Sequence, residues 1–256
     1  MLLTVDCVTK TYSNNKERLV ALNDCTINVS SGEFVCILGP SGCGKSTLLN
    51  MIAGLDCPTE GTIVLNGKKV SAPGPDRAVM FQEPALLPWL RVADNIEFGM
   101  KMAGYAKHER NARSASLLEL MNMSDFADAC VHELSGGMKQ RVSLARTFAV
   151  DSELLLLDEP FSALDNHTRH VIQEELIAVW AKTGKTILFV THNPEEAYLL
   201  ADRVLVMSNR PGRVCSESII DEPRVRDISS AAGQKFMTDI KHILRDEVER
   251  FAHQAS

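Results

Sequence analysis

Long apolar segments are absent from this sequence. No apolar run approaches the roughly eighteen residues that a membrane-spanning helix needs. The amino-terminal stretch MLLTVDCVTKTY also lacks a basic region followed by a long apolar segment. The sequence therefore predicts a chain that neither spans a membrane nor carries a secretory signal, and no internal repeat or low-complexity tract stands out.

Paired cysteines are also missing. The seven cysteines include no CxxC pair and do not cluster with histidine at the spacing of metal ligands. This pattern predicts free thiols in a reducing cytosol.

Positive charge is in deficit. Lys and Arg total 27 against 33 Asp and Glu, which gives a net charge of −6. Nucleic-acid binding driven by a global positive charge is therefore disfavoured, although a local basic patch stays open. With 256 residues, of which 45% are hydrophobic, the chain can bury the core of one large α/β domain or two small ones without metal or disulfide bonds.

Short β-rich runs alternate with longer helical patterns, which is typical of an α/β domain with a mostly parallel sheet. Strands covered by helices on both faces are continuously apolar, and this pattern recurs along the chain. The predicted buried strands are Phe34–Leu38, Ala78–Phe81, Leu154–Leu157, Thr186–Val190 and Arg203–Met207.

Other parts of the chain depart from this alternation. Alternating segments at 2–9, 25–29 and 62–65, with an Asn-Gly turn at 66–67, predict an antiparallel β layer. Between residues 84 and 133 the strand signal disappears, and 92–103 and 107–123 carry helical spacing, so we expect a helical insertion. Residues 221–256 are predicted to form a carboxyl-terminal helical tail.

A glycine-rich motif follows the first buried strand. The run GPSGCGKST matches GxxxxGK[ST] and directly precedes a helical pattern at 48–54, so its context is that of a phosphate-binding loop. Backbone amides and the helix amino terminus would hold a polyphosphate, Lys45 would add charge, and Ser46 would ligate Mg²⁺. The alternative is a glycine-rich turn that binds nothing. The loop residues are Gly39, Pro40, Ser41, Gly42, Cys43, Gly44, Lys45, Ser46 and Thr47.

Two adjacent carboxylates end a second buried strand. Asp158 and Glu159 follow LLLL at the strand edge where ligands of open α/β sheets bind. Asp158 suits the second Mg²⁺ shell, and Glu159 could orient and deprotonate the attacking water. Alone, the pair would be an exposed turn, but the phosphate loop in the same chain favours hydrolysis.

A second glycine pair precedes another helical pattern. Ser135 can cap that helix, and Gly136 and Gly137 leave its first amides open to an anion. An ordinary helix cap is the alternative. The phosphates of one nucleotide are already assigned to residues 39–47, so a second anion-binding turn needs an explanation.

The run LSGGMKQR resembles the signature of the ATP-binding-cassette (ABC) family, and the resemblance extends over residues 1–220. It implies a P-loop NTPase (RecA-like) core with an antiparallel β subdomain and an inserted helical subdomain. In that family the LSGG turn of one subunit faces the γ-phosphate held by the other, which implies a two-fold symmetric dimer around two ATP molecules. The dimer would be a homodimer or a close heterodimer.

The resemblance assigns roles to further residues. Tyr12 lies where an aromatic ring stacks on adenine, and Gln82 resembles the glutamine that reaches Mg²⁺ and the attacking water. The segment 162–165 resembles the loop that crosses the dimer interface, and His192 resembles the histidine that contacts the γ-phosphate. The implied metal ligands are Ser46, Gln82 and Asp158. The six remaining histidines are interpreted as surface residues.

Segments 81–96 and 210–214 look like the nitrate/sulfonate/taurine branch of bacterial ABC importers. This implies separate transmembrane permease subunits, an indirect periplasmic binding protein, and a peripheral place on the cytoplasmic face of the inner membrane. An exporter ATPase and a soluble ABC ATPase of DNA repair or translation stay open as alternatives. A GTPase is disfavoured because no NKxD motif follows the phosphate loop.

Overall fold

The computed structural model describes residues 1–14, 17–162 and 164–254. The chain divides into two compact units, which we call the first unit (Met1–Gly74 with Thr186–Ser256) and the second unit (Pro75–Lys185). Within the described ranges, no helix combines the length and the apolar character needed to cross a membrane.

The first unit contains the predicted antiparallel layer. Its four strands run in the order β2-β1-β4-β5, and Asn66 (φ 50°) and Gly67 (φ 75°) form the tight turn between β4 and β5. Their bounds are Leu3–Asn14 for β1, Glu17–Val29 for β2, Glu60–Leu65 for β4 and Lys68–Lys69 for β5.

The first unit also contains three parallel strands with an antiparallel strand at one edge, in the order β10-β9-β3-β8. Every residue of β3 and β8 is buried, as expected for strands covered on both faces. The strands are β3 (Phe34–Leu38), β8 (Thr186–Thr191), β9 (Arg203–Met207) and β10 (Val214–Ile219). The helices are α1 (Lys45–Ala53), α6 (Pro194–Leu200) and α7 (Ala231–Gln254).

The second unit pairs two parallel strands and packs four helices. Helix α2 buries Val92, Ile96 and Met100, which share one face at spacings of four residues. The strands are β6 (Arg77–Met80) and β7 (Leu154–Asp158). The helices are α2 (Val92–Met102), α3 (Lys107–Leu120), α4 (Gly136–Ala149) and α5 (Asn166–Thr183), with short 3-10 turns at Ser124–Phe126 and Val131–Glu133.

The predicted buried strands and most predicted helices are present, but the expectation for Ala78–Phe81 is partly wrong. Strand β6 spans Arg77–Met80 at the edge of its sheet, only Met80 in it is buried, and Phe81 lies beyond the strand and is 42% exposed. The antiparallel strands of the first unit are also longer than predicted. Strands β1 and β2 extend beyond the alternating segments, because register shifts and exposed polar residues interrupt the alternation. Strand β10 was not predicted because its residues are only partly buried and carry no continuous apolar run. The predicted bounds of the helical insertion (84–133) and of the carboxyl-terminal tail (221–256) stay predictions.

The buried parallel strands should dominate stability. Ile37 in β3 is fully buried, whereas Ile219 in β10 is 68% exposed. We expect Ile37→Ala to lower the free energy of unfolding by about 3 kcal/mol, because it removes buried methyl groups and leaves a cavity. The matched change Ile219→Ala should cost less than about 1 kcal/mol. Urea unfolding compares the two variants, and equal losses would contradict this description of the core.

Candidate active site

The phosphate-binding motif lies between the end of β3 and the start of α1. Gly44 occupies the N-cap position of α1 with φ 107°, and the Leu48 N–H donates to its carbonyl at 2.9 Å. A Cβ atom at residue 44 would lie 2.7 Å from Leu22 Cδ2 and 3.0 Å from the Ala21 carbonyl. Both the backbone angle and the space therefore require glycine, and the first turn of α1 directs its amides outward as in an anion site.

Lys45 places a buried positive charge inside this loop. Lys45 is only 4% exposed. Its Nζ donates to the carbonyls of Gly39 at 2.8 Å and Pro40 at 2.9 Å. These bonds compensate part of the cost of burying the ammonium group. Neighbouring Ser46 is exposed at the same helix end. The loop thus combines amide donors with a fixed cation, as polyphosphate binding requires.

Tyr12 lies on β1 and is held by two charged residues that the sequence analysis missed. Its hydroxyl donates to Asp56 Oδ2 at 3.0 Å, and Lys10 Nζ lies 4.9 Å from the ring centroid. Lys10 also pairs with Asp56 Oδ1 at 2.5 Å. Burial, followed by the hydrogen bond to Asp56, raises the pKa of Tyr12, so the ring stays neutral at physiological pH.

A local signal could have identified Lys10, because residues two apart on a strand share one face. The partner Asp56 is 44 residues from Tyr12 in the sequence, and no local pattern connects them. Tyr12 as a whole is 42% exposed, which leaves surface for a stacking partner.

His192 follows the last residue of β8. Leu38 and Thr191 are direct partners in the parallel pair β3–β8, so the residues after them, the phosphate loop and His192, begin at the same edge of the first unit. The Thr191 hydroxyl donates to Glu196 and accepts from the Asn193 amide at 3.0 Å, which fixes the turn that carries His192. His192 itself is exposed.

The second unit brings the acidic pair and Gln82 to the ends of its two strands. Met80 of β6 pairs with Leu157 of β7, so Gln82 and the pair Asp158–Glu159 follow neighbouring strand ends. Gln82 Nε2 donates to Ser162 Oγ at 3.4 Å. Glu159 has a left-handed backbone (φ 43°), an uncommon conformation for a residue with a side chain, and such strain is often found at functional sites.

The second glycine turn begins α4 in the predicted manner. Ser135 Oγ accepts from the Met138 amide at 3.3 Å and caps the helix. At Gly136 an added Cβ would meet nothing within 4 Å among the described residues, whereas at Gly137 it would lie 2.8 Å from Thr168 Cγ2. Gly137 therefore allows α4 to pack closely beside the start of α5, and Gly136 leaves backbone accessible.

The segment 162–165 starts helix α5. Asp165 accepts from the Thr168 amide at 3.0 Å and acts as its N-cap. The backbone and side-chain hydrogen bonds from Thr168 lower the pKa of Asp165. Ala163, which belongs to the predicted interface loop, lies outside the described residues.

Comparison with known proteins shows which family carries this set of motifs. The family described as ABC transporter matches residues 22–162. The chain belongs to the ABC transporter family. An uncharacterized ABC transporter ATP-binding protein, MJ0412 of Methanocaldococcus jannaschii, is 46% identical over 96% of this chain and 92% of that protein. The taurine import ATP-binding protein TauB of Rhizobium johnstonii is 44% identical over 98% of this chain and 97% of that protein.

A solved structure agrees with this membership. The ATP-binding cassette MJ0796, determined as a dimer in a post-hydrolysis state bound to ADP and Pi, gives a TM-score of 0.77 at 32% identity. The match covers 87% of this chain and 100% of that chain. The P-loop NTPase fold is therefore confirmed, and this ABC subunit is an ATPase that binds adenine nucleotides. The role of each individual site residue stays a prediction.

The Tyr12 cluster gives a direct test of base recognition. We expect Tyr12→Ala to raise the Kd for ATP about tenfold or more, because stacking of a base on an aromatic ring contributes about 1–3 kcal/mol. Tyr12→Phe keeps the ring and loses only the bond to Asp56, so its Kd should stay within about threefold of the wild type. Calorimetric titration measures both, with Tyr105→Ala as the tyrosine control. Unchanged binding by Tyr12→Ala would exclude the stacking role.

Proposed function

We propose that this ATPase subunit drives the import of small sulfonates of the taurine class. The observation that carries the proposal is the 44% identity to the Rhizobium johnstonii taurine import protein over 98% of this chain. The similarity is not confined to the ATP motifs, because so wide a span includes the residues beyond 220. The anion itself would be selected by the permease and the binding protein, and this subunit would supply the energy.

The first unit would hold the nucleotide. The amides of residues 39–47 and the ammonium group of Lys45 would bind the β- and γ-phosphates, and Tyr12 would stack on adenine. The bonds of Lys45 to two loop carbonyls support this assignment, because they hold its charge within the loop before any ligand arrives. His192 would contact the γ-phosphate from the end of β8.

The proposed metal ligands suit Mg²⁺. Ser46 offers a hydroxyl, Gln82 an amide oxygen and Asp158 a carboxylate, and hard oxygen donors of this kind are what Mg²⁺ prefers. Ser46 is exposed at the first turn of α1, and Asp158 keeps 8% exposure at the end of β7. When bound, Mg²⁺ supplies positive charge that neutralises the phosphate oxygens.

Glu159 is the proposed general base. It would accept a proton from the water that attacks the γ-phosphate, and the products would be ADP and inorganic phosphate. Gln82 would orient the same water. The hydrogen bond between Gln82 and Ser162 supports a fixed position for the amide, since Ser162 lies in the turn after Glu159.

A second copy of the chain would complete each site. Ser135, Gly136 and Gly137 of one copy would bind the γ-phosphate held by the other, in a two-fold interface where the same surface serves both partners. The dimeric MJ0796 cassette supports this arrangement by similarity. Closure would follow ATP binding and opening would follow hydrolysis, because ATP and ADP differ in affinity for the closed state.

An exposed apolar surface on α2 suits a permease partner. This helix buries one apolar face, yet Phe98 (39% exposed) and Met102 (65% exposed) lie one turn apart on another face, with Trp89 (75% exposed) shortly before the helix. Apolar patches of this kind commonly mark interaction sites. The subunit would therefore associate peripherally with transmembrane subunits at the cytoplasmic face of the membrane.

The chemistry can be tested by two substitutions with opposite expectations. Glu159→Gln keeps the shape of the side chain and removes the base, so we expect ATP binding within about threefold of the wild type and turnover reduced by roughly a hundredfold or more. Lys45→Ala should weaken ATP binding itself. Steady-state ATPase rates and calorimetric Kd values measure both effects. Wild-type turnover by Glu159→Gln would exclude it as the base.

The membrane partner is tested by the double variant Phe98→Ala/Met102→Ala. We expect about tenfold less subunit retained by its permease in detergent pull-downs, because exposed apolar anchors dominate such interfaces. Ile219→Ala, equally exposed but located in the first unit, is the control and should be retained normally.

The substrate is tested in vesicles that contain the permease and the binding protein. We expect taurine uptake that requires ATP on the side of this subunit and disappears with Glu159→Gln. Full ATP-dependent uptake of unrelated solutes without any uptake of taurine or another sulfonate would contradict the proposed substrate class.

A further inference from the structure

A loop outside the family match contacts the phosphate-binding loop. Residues 208–213 connect β9 to β10, contain the sequence Arg210-Pro-Gly-Arg, and lie beyond the matched range 22–162. We call these residues the 208–213 loop. None of the ATP motifs assigns it a role, and the sequence alone connects it only with one branch of importers.

Arg210 binds a carbonyl of the phosphate loop from outside. Its Nε and Nη2 donate to the Gly42 oxygen at 3.2 and 3.0 Å, across 168 residues of sequence. The same charge reaches the adjacent thiol: burial raises the pKa of Cys43, while the positive charges of Lys45 and Arg210 act in the lowering direction. Arg210 is thus both bonded and electrostatically coupled to the phosphate loop.

Gly212 supports the next peptide of the phosphate loop. A Cβ atom at residue 212 would lie 2.0 Å from the Cys43 carbonyl oxygen, so only glycine permits this approach. Gly212 is itself fixed to β2, because its amide donates to Ala21 O at 2.9 Å and its carbonyl accepts from Asn23 N at 3.0 Å. The backbone of β2 and the 208–213 loop are therefore hydrogen-bonded to each other, and both pack against residues 42–44 of the phosphate loop.

The 208–213 loop also holds its own shape. Ser208 Oγ donates to the Pro211 carbonyl at 3.2 Å and accepts from the Arg213 amide at 3.1 Å. At the start of the phosphate loop, a Cβ at Gly39 would lie 3.1 Å from Met207 Cβ, so the end of β9 packs there as well. Contacts from 207–212 thus reach Gly39, Gly42 and Cys43.

These contacts have a consequence for the amides. In a trans peptide the N–H points opposite to the C=O. Holding the Gly42 and Cys43 carbonyls toward the 208–213 loop therefore directs the Cys43 and Gly44 amides to the other side. The Cys43 amide accordingly points into the phosphate loop, where it donates to the Pro40 carbonyl at 3.4 Å. That side is where a polyphosphate would bind.

We propose that the 208–213 loop holds the phosphate loop in its binding conformation and that Arg210 is a positioning residue for ATP binding. The inference rests on the proposed role of residues 39–47 in holding ATP. Without Arg210, the nucleotide itself would have to order the phosphate loop on binding, and the affinity for ATP would fall. Once bound, the phosphates themselves impose the conformation, so turnover of bound ATP would change little.

The test compares two arginines of the same loop. Arg210→Ala should raise the Kd and KM for ATP about three- to tenfold, the range that corresponds to one net hydrogen bond. Its kcat should stay within about twofold of the wild type. The Kd for GTP should rise by the same factor, because Arg210 contacts the phosphate loop and not the base site.

The control is Arg213→Ala, since the Arg213 guanidinium has no hydrogen-bond partner within the described part of the chain. We expect its Kd for ATP to stay within about twofold of the wild type.

Further variants separate bonding from charge and from misfolding. Arg210→Lys keeps the charge but not the two-donor geometry, so it should restore only part of the affinity. Gly212→Ala should weaken ATP binding through the clash with Cys43. Melting temperatures identify any variant that is merely destabilised.

The inference is overturned if Arg210→Ala binds ATP like the wild type, or if Arg210→Ala and Arg213→Ala lose affinity equally. Failure of the proposed role of residues 39–47 looks different: Lys45→Ala would then bind ATP with the same Kd as the wild-type protein.

Discussion

The conformation of residues 39–45 is the constraint on which the rest of the site depends. Its backbone must present several amides to one point, which requires a left-handed glycine at 44, and must also carry the buried Lys45 ammonium on the carbonyls of Gly39 and Pro40. This loop lies between β3 and the first turn of α1 and contacts residues 21–22 of β2 and the 208–213 loop, so the fold of the first unit determines its conformation.

The sequence predicted those features that local patterns encode. Fully buried strands such as Phe34–Leu38 are continuously apolar, and the phosphate loop, the acidic strand end and the LSGG turn are each recognisable within a few neighbouring residues. Features that depend on contacts between distant residues were not predictable. Asp56 reaches Tyr12 across 44 residues and Arg210 reaches Gly42 across 168, and neither pairing leaves a periodic signal. Strand β10 was missed because partial burial gives no clear alternation.

The two units divide the proposed chemistry. The first unit carries Tyr12, which is proposed to stack on the base, together with residues 39–47 and His192. The second unit carries Gln82, the acidic pair and the LSGG turn. The second unit also exposes the apolar residues of α2. The second unit therefore contains both the residues proposed to hydrolyse ATP and the residues proposed to contact the permease. A change in nucleotide state could reach the permease through this one unit.

The phosphates of one nucleotide are assigned to residues 39–47, and Ser135–Gly137 are proposed to complete the site held by a second copy, so the two elements should act on one nucleotide only when different copies supply them. Light scattering of the Glu159→Gln protein, with and without ATP and Mg²⁺, measures this dependence on a second copy. We expect the mass of a monomer without nucleotide and twice that mass with ATP. A strictly monomeric, ATP-saturated protein, even with its permease present, would contradict it.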